Sequence, residues 1–213
     1  RRMDPGSLAD DAATHFFYDD TSPYHRPLAG TEASVGTLGP DDIRAFVGER
    51  FRPSSAGMIA VGDVESSEME ALAREHFGDW SAPPIPKDEI ELRTRFEGRR
   101  VVVVDRPGSV QSEIRIGHPG VSRSTPLFFP LKVFNAVLGG AFTSRLMLHL
   151  REERGFTYGV RSRFSWRRGA GPFTISMGVA TEVTGDAVGE TFHQVEKLLE
   201  DGPSREEVER ARD

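Results

Sequence analysis

Six histidines are the first side chains to consider for metal or acid–base chemistry, and they occupy positions 15, 25, 76, 118, 149 and 193. None of them forms an H-x-x-x-H or H-E-x-x-H pair, the spacing that places two imidazoles around one zinc ion. The nearest zinc-like string starts at His149 and reads H-x-x-E-E, whereas the inverted zinc motif ends on a second histidine. His149 and Glu153 would share a helix face, but no third ligand is evident. We therefore interpret this face as a polar helix surface.

Patterns for covalent catalysis and phosphate binding are also missing. The chain contains no cysteine, which excludes disulfides, thiolate zinc sites and a cysteine nucleophile. Ser112 and Ser144 have no sharp strand-to-helix turn and no paired base beside them. The glycines at 139 and 140 are not followed by lysine and do not stand between a strand and a helix, so they do not form a phosphate-binding loop.

Arg151 and Tyr158 remain as the candidate site residues. They flank Gly155, where a helix is expected to end and a strand to begin, so both side chains can point into one cleft. Arginine offers forked donors to carbonyl oxygens, and a tyrosine hydroxyl can donate to a developing oxyanion. By spacing alone this pair is a weak signal, because an arginine near a helix C-terminus is often only a favourable charge on the helix dipole.

The elements that must position this pair are predicted to form an α+β layer. Strands in pairs alternate with helices in pairs, a pattern typical of an antiparallel sheet covered by helices on one face. The predicted strands are Val101–Val104, Val110–Ile116, Thr157–Phe164 and Phe173–Val179. The predicted helices cover residues 126–138, 143–154 and 186–200, and Ser204-x-x-Glu207 is the capping box of one more helix.

A proline-rich linker at residues 81–92 divides the sequence, since three prolines in four positions exclude a helix interior and a paired strand. Residues 1–80 then form a first part, with a helix from Pro40 and a strand at Ala56–Val61 in a sheet of its own. This part is short for an independent core. Residues 93–213 form the second part. We expect the first part to be incomplete and the second part to be truncated at its C-terminus.

Composition narrows the classes of function. The 213 residues carry 27 basic and 33 acidic side chains, and a net charge of −6 with interspersed signs argues against a nucleic-acid-binding face. Small basic groups such as Arg161 and Arg163 are interpreted as solvated strand positions. No apolar run approaches the ~20 residues of a membrane span. The sequence leaves the compartment open, with the cytoplasm as the working expectation.

Several short motifs occur in a fixed order along nearly the whole chain. They are Pro23–Pro27, Gly30-Thr31, Arg52–Val64, Pro107–Gln111, Leu138–Gly140, Thr143–Leu146 and Leu150–Val160. In this order they resemble the insulinase/pitrilysin family of zinc metallopeptidases, above all the branch of bacterial processing proteases and the mitochondrial processing peptidase. The family pattern in the later half is an LGG–SRL–LRE–G–(A/T)Y run.

The resemblance implies two related α+β halves that close like a clamshell around an extended peptide. In the family, the first half binds zinc on an H-x-x-E-H helix with a downstream Glu as third ligand, and the Glu of the motif acts as general base on zinc-bound water. The second half contributes an Arg and a Tyr seven residues apart, which match Arg151 and Tyr158. The resemblance thus implies that this pair holds the substrate backbone and stabilises the tetrahedral intermediate.

The chain departs from the family pattern because it has no H-x-x-E-H motif. Its start aligns just downstream of the third-ligand Glu, so the zinc helix lies outside these residues or never existed. We expect a fragment of a zinc metalloendopeptidase that cleaves extended or unfolded polypeptides, with zinc bound by residues outside this chain. The 213 residues alone are expected to bind no zinc and to hydrolyse no peptide.

Two alternatives stay open. The chain could belong to a non-catalytic subunit that carries only the Arg/Tyr pair beside a zinc-bearing partner, or to a structural subunit that resembles respiratory-complex core proteins. An intact Arg151/Tyr158 pair disfavours the second alternative. Besides the peptide substrate, the expected partner is a homologous subunit in a homo- or heterodimer, and no nucleic acid is expected to bind.

Overall fold

The computed structural model describes residues 4–85, 93, 95 and 97–212. The chain separates into two compact units, one made of residues 1–28 and 90–213 and the other of residues 29–89. The larger unit therefore includes the first 28 residues, which the sequence assigned to the first half. The predicted boundary at residues 81–92 separates two halves of the family fold, and it stays a prediction. Much of that linker lies outside the described residues.

The larger unit is built on a three-stranded antiparallel sheet. Its strands are β1 (Gln111–Pro119), β2 (Thr157–Phe164) and β3 (Pro172–Ala180), in the order β1-β3-β2. Met177 of the central strand pairs with Ile114 on one side and Val160 on the other, and all three side chains are buried. Three of the four predicted strands are thus confirmed with small shifts in their ends, and so is the α+β class with an antiparallel sheet.

Two predicted strands are wrong. Val101–Val104 and Ala56–Val61 have neither helical nor strand structure, and their side chains are largely exposed, with Val101 at 91% and Val61 at 93%. Both segments are rich in residues that favour strands, but a strand also needs a neighbour that accepts its backbone hydrogen bonds. No strand pairs with either segment in the part of the chain that the structure describes.

Helices cover the core face of the sheet. They are α5 (Phe128–Asn135), which continues into a π-helical segment at Ala136–Gly140, a second π-helical segment at Met147–Glu153, and α6 (Thr184–Asp201). Leu138, Leu146 and Leu150 are at most 1% exposed and lie in one cluster with the inward side chains of the sheet. These elements correspond to the three predicted helices. The chain continues into α7 (Arg205–Arg212).

A helix that the sequence analysis missed packs on the other face of the sheet. This helix, α1 (Pro5–Phe17), starts at Asp4, whose carboxylate accepts a hydrogen bond from the Ser7 amide at 3.0 Å. Asp at the N-cap followed by Pro at the first helical position was the available signal. Arg115 of β1 ties the helix down through its 3.0 Å bond to the Gly6 carbonyl and its 2.6 Å ion pair with Asp10.

The smaller unit contains α2 (Glu32–Gly36), α3 (Pro40–Arg50) and α4 (Ser66–Phe77). The predicted helix from Pro40 is confirmed, and Asp42 accepts a hydrogen bond from the Gly39 amide at 2.8 Å. None of the described residues from 29 to 85 is buried. Short 3-10 turns occupy Pro53–Ser55 in this unit, and Pro23–His25 and Thr181–Val183 in the larger unit.

Gly139 lets the first π-helical segment approach β2 closely. A Cβ at this position would lie 2.9 Å from the Ser162 amide nitrogen and 2.7 Å from its Oγ. Ser162 is 1% exposed and donates a 3.0 Å hydrogen bond to the Asn135 side chain, so it has little room to move. Close packing against β2 therefore explains the glycine at position 139 in the LGG motif.

We expect Gly139→Ala to lower the free energy of unfolding by about 1–3 kcal/mol, because the added methyl must displace the β2 backbone. Gly189→Ala on α6 is the matched control, since no atom lies within 4 Å of its Cβ position. There the substitution should stabilise by about 0.5–1 kcal/mol. Urea unfolding of both variants measures the difference, and equal stability of the two would contradict the packing account.

Candidate functional site

Arg151 lies in the Met147–Glu153 segment, on the turn before the helix ends. Its guanidinium carbon lies 4.8 Å above the centre of the Phe142 ring, and its Nε lies 3.4 Å from a carboxylate oxygen of Glu152. The side chain is 35% exposed. These two contacts involve the ring-facing side of the guanidinium and its Nε, and Nη1 and Nη2 are further donors for a ligand.

Tyr158 is the second residue of β2 and is 92% exposed. Its neighbour Thr157 is buried, and the Thr157 hydroxyl donates a 2.7 Å hydrogen bond to the Gly178 carbonyl of β3. The pairing register between β2 and β3 shifts between Thr157 and Val160, and such irregularities re-aim side chains at strand ends. The start of β2 is thus fixed by Thr157 while the Tyr158 ring projects into solvent.

A tight corner joins the two candidate residues. Gly155 has a φ of +64°, in the left-handed region that favours glycine, which confirms its predicted role at the helix end. The Phe156 amide bonds the Leu150 carbonyl at 2.9 Å, and the Arg154 amide bonds the His149 carbonyl at 3.0 Å. The structure thus places Arg151 and Tyr158 on either side of this corner. Within the described residues, no hydrogen bond or ring contact connects the two side chains to each other.

The other two tyrosines are held in the structure. Tyr18 is fully buried, its hydroxyl donates to the Ala170 carbonyl at 2.8 Å, and burial raises its pKa to about 12. The Tyr24 hydroxyl accepts a hydrogen bond from the Gly169 amide at 3.0 Å. Both attach the first residues of the chain to the turn between β2 and β3. Of the three tyrosines, Tyr158 therefore has the hydroxyl that is open to a ligand.

An ion pair anchors the N-terminal end of the Arg151 segment. Arg145 bonds both carboxylate oxygens of Glu207, at 2.6 and 2.8 Å, and also donates to the Gly202 carbonyl at 3.0 Å. Glu207 accepts a 2.7 Å bond from the Ser204 amide, and the Ser204 hydroxyl accepts one from the Glu207 amide at 3.2 Å, which confirms the predicted capping box. The Arg145 hydrogen bond holds the pKa of Glu207 down at about 2.

His149 lies in a polar cluster between the Arg151 segment and α6. Its Nδ1 is 2.7 Å from Glu153 and its Nε2 is 2.8 Å from Glu190, and Glu190 also pairs with Arg154. The side chain of His149 is 16% exposed. The predicted polar helix surface is confirmed, and it is also partly buried, because α6 supplies a carboxylate, Glu190, that the helix sequence alone does not show.

The described residues contain no group of three or more His, Cys, Asp or Glu side chains that could hold a metal ion. His149 contacts two carboxylates, but they lie on opposite ring nitrogens and do not converge on one point. These residues accordingly do not fit a zinc ion. The donors at the corner, Arg151 and Tyr158, can bind and polarise a carbonyl group, and they offer no nucleophile or base of their own.

A sequence profile of the family described as "Peptidase M16 inactive domain" matches residues 37–213. The match covers most of the chain, including the Arg151 and Tyr158 motif. The chain belongs to this M16 family. The resemblance to the insulinase/pitrilysin zinc peptidases is thereby confirmed.

Relatives of this M16 chain carry names of zinc proteases. An uncharacterized zinc protease of Streptomyces coelicolor is 28% identical over 214 residues, which cover 98% of this chain and 46% of the relative. An uncharacterized zinc protease of Mycobacterium leprae is 28% identical over 86% of this chain and 44% of its own length. The beta subunit of the mitochondrial-processing peptidase of Lentinula edodes is 20% identical over 55% of this chain. The chain spans about half the length of the bacterial relatives.

Solved structures share the fold. The peptidase M16 inactive domain from Pseudomonas fluorescens superposes with a TM-score of 0.89 and 26% identity, over 99% of this chain and 50% of that one. Complex III2 from Candida albicans contains a chain with a TM-score of 0.78 at 17% identity, over 99% of this chain and 51% of that one, which shows the fold alone. Among the described helices, none combines the length and apolar character that crossing a bilayer requires.

The Arg145–Glu207 pair predicts a pH dependence of stability. The pKa of Glu207 is lowered from an ordinary 4.5 to about 2, so its contribution is complete above pH 4.5 and is lost as pH falls toward 2. We expect Glu207→Gln to cost about 1–3 kcal/mol at pH 7 and progressively less as the pH falls below 4.5.

Urea unfolding of wild type and variant at pH 7, 5, 4 and 3 measures this cost. Glu206→Gln is the control on the same helix, because Glu206 is 80% exposed and pairs with Arg210 at 3.8 Å only. It should change stability by less than about 0.5 kcal/mol at any pH. A Glu207→Gln cost that stays constant from pH 7 to 3 would contradict the assigned ion pair.

Proposed function

We propose that this chain is part of a longer zinc-dependent endopeptidase of the M16 family. In that protein it would bind the backbone of an extended peptide and stabilise the transition state of its hydrolysis. The observation that carries the proposal is the corner at Gly155, which presents Arg151 and the exposed hydroxyl of Tyr158 at the positions that match the family motif.

The two donors are suited to different roles in the proposed hydrolysis. When water attacks a peptide bond, the carbonyl oxygen gains negative charge, and a donor placed at that oxygen is worth more in the transition state than in the ground state. The Tyr158 hydroxyl, which is 92% exposed, is free to become that donor. The Arg151 guanidinium, oriented by Phe142 and Glu152, is suited to a neighbouring backbone carbonyl of the same peptide.

The names of the relatives support a role for zinc, and the residues of this chain do not. The Streptomyces and Mycobacterium relatives are named zinc proteases, and the chain covers less than half of each. We assign the metal to residues outside these 213. When bound, it would supply the activated water, while this chain would orient the peptide and neutralise the oxyanion.

The proposed substrate is an extended or unfolded polypeptide, and the proposed partner is a homologous subunit. The Tyr158 hydroxyl at the strand start and the Arg151 guanidinium at the helix end can bind backbone carbonyls only where the peptide is extended and has free carbonyl groups. The name of the Lentinula relative supports a subunit arrangement, since that protein is the beta subunit of a processing peptidase. Peptide binding without any hydrolysis by the longer protein would instead favour the non-catalytic subunit.

We expect Tyr158→Phe in the longer protein to lower kcat by about 10–1,000-fold with a smaller change in KM, because it removes one donor needed mainly in the transition state. Arg151→Ala should also raise KM, since it removes a contact to the bound peptide. Steady-state cleavage of an internally quenched, unstructured peptide measures both constants.

Arg161→Ala is the matched control, because Arg161 is an exposed residue of the same strand and forms no ion pair with the described residues. Its kinetic constants should stay within about twofold of wild type, as for a surface substitution outside the site. Wild-type kinetics for Tyr158→Phe would refute the assigned role of the hydroxyl.

A further inference from the structure

The two ring nitrogens of His149 each contact a carboxylate, and this arrangement determines how many protons the ring must carry. Its Nδ1 lies 2.7 Å from Glu153 and its Nε2 lies 2.8 Å from Glu190. An ionised carboxylate can only accept hydrogen bonds, and a neutral imidazole has one N–H. A neutral ring would therefore leave one nitrogen lone pair facing a carboxylate at hydrogen-bond distance. Only the imidazolium, which has two N–H groups, satisfies both contacts.

The charges around His149 agree with a cationic ring. On its own segment it faces Glu153, and on α6 it faces Glu190, with His193 one turn further along the helix. Arg154 occupies the other oxygen of Glu190. The hydrogen bond from His149, with smaller contributions from Arg154 and His193, lowers the pKa of Glu190. No charged side chain of β2, which also packs on this segment, forms an ion pair with His149 in the described part of the chain.

The cluster connects the Arg151 segment to a helix that cannot easily move. On α6, Ala187, Thr191 and Leu198 are buried, and Glu190 lies between the first two along the chain. His149 is two residues before Arg151, and the carbonyl of His149 accepts the Arg154 amide bond at the helix end. The cluster thus fixes the C-terminal half of the segment, whereas Arg145 fixes its start.

We propose that the His149 imidazolium, held between Glu153 and Glu190, is a positioning residue for Arg151. Its charge keeps the segment docked on α6, so that Arg151 presents its guanidinium at the corner in one orientation. Loss of either contact loosens the segment and weakens peptide binding through Arg151. The inference rests on the proposed function, since it assumes that Arg151 binds peptide.

A double-mutant cycle separates positioning from a general loss of structure. The probe is a fluorescein-labelled, histidine-free unstructured peptide of about 20 residues, a length that covers more than one binding contact. It binds to the longer protein in the presence of a chelator, so that anisotropy reports binding without cleavage. The four proteins are wild type, His149→Gln, Arg151→Ala and the double variant.

We expect His149→Gln to weaken binding by about 3–10-fold in the wild-type background and by less than twofold in the Arg151→Ala background. If His149→Gln weakens binding equally in both backgrounds, or in neither, the inference is overturned. If Arg151→Ala itself leaves binding unchanged, the role of Arg151 in the proposed function fails instead, so the two failures are distinguishable.

The charge requirement has its own test. His149→Arg keeps a cation between the two carboxylates, so it should bind the peptide more tightly than His149→Gln and closer to wild type. His76→Gln, on the exposed surface of α4, is the control and should keep the wild-type affinity. Binding by His149→Arg that is as weak as that of His149→Gln would contradict the proposal.

A spectroscopic readout tests the cluster without any peptide. In the ¹⁵N spectrum of the wild-type protein, both ring nitrogens of His149 should carry protons, because each faces a carboxylate oxygen at hydrogen-bond distance. A His149 ring with one unprotonated nitrogen would overturn the inference, whatever the peptide-binding results are.

Discussion

The position of the candidate site depends on the bidentate pair between Arg145 and Glu207. Both side chains are only 17% exposed, so their charges are partly removed from water and compensate each other through two short hydrogen bonds. Arg145 lies two residues before the Met147–Glu153 segment, and Glu207 lies in the first turn of α7, so the pair joins these two elements. The Gly202 carbonyl accepts a hydrogen bond from the same guanidinium. Replacing either residue alone would leave the other charge partly buried and unpaired, so the pair holds the two elements together.

Two fixed backbone contacts hold the elements that carry Arg151 and Tyr158. Gly139 brings the helical layer against the β2 backbone at Ser162, and Thr157 pins the start of β2 to the central strand. Between these fixed points, Gly155 with its positive φ turns the chain between Arg151 and Tyr158, and both side chains remain accessible to a ligand. Preorganised donors lose little conformational freedom when they bind a ligand, and that is the condition under which they stabilise a transition state.

The sequence was sufficient for local features and insufficient for those that depend on distant partners. Alternating residues in Val110–Ile116 located β1, and the glycine at 155 and the capping box at 204–207 were visible as local chemistry. Val101–Val104 has the composition of a strand, but pairing needs a neighbour that composition does not reveal. The ion cluster at His149 was missed for the same reason, because Glu190 is 41 residues away along the chain.

The two residues proposed to act on the substrate, Arg151 and Tyr158, are both hydrogen-bond donors. Arginine and tyrosine hydroxyl groups stabilise negative charge on an oxygen, but hydrolysis also requires an attacking water and a group that accepts its proton. Within the described residues, the carboxylates beside these donors, Glu152, Glu153 and Glu190, already contact Arg151, His149 and Arg154. The chain spans about half the length of its bacterial relatives, so in the proposed longer protein the donor pair would complement catalytic groups supplied by residues outside this chain.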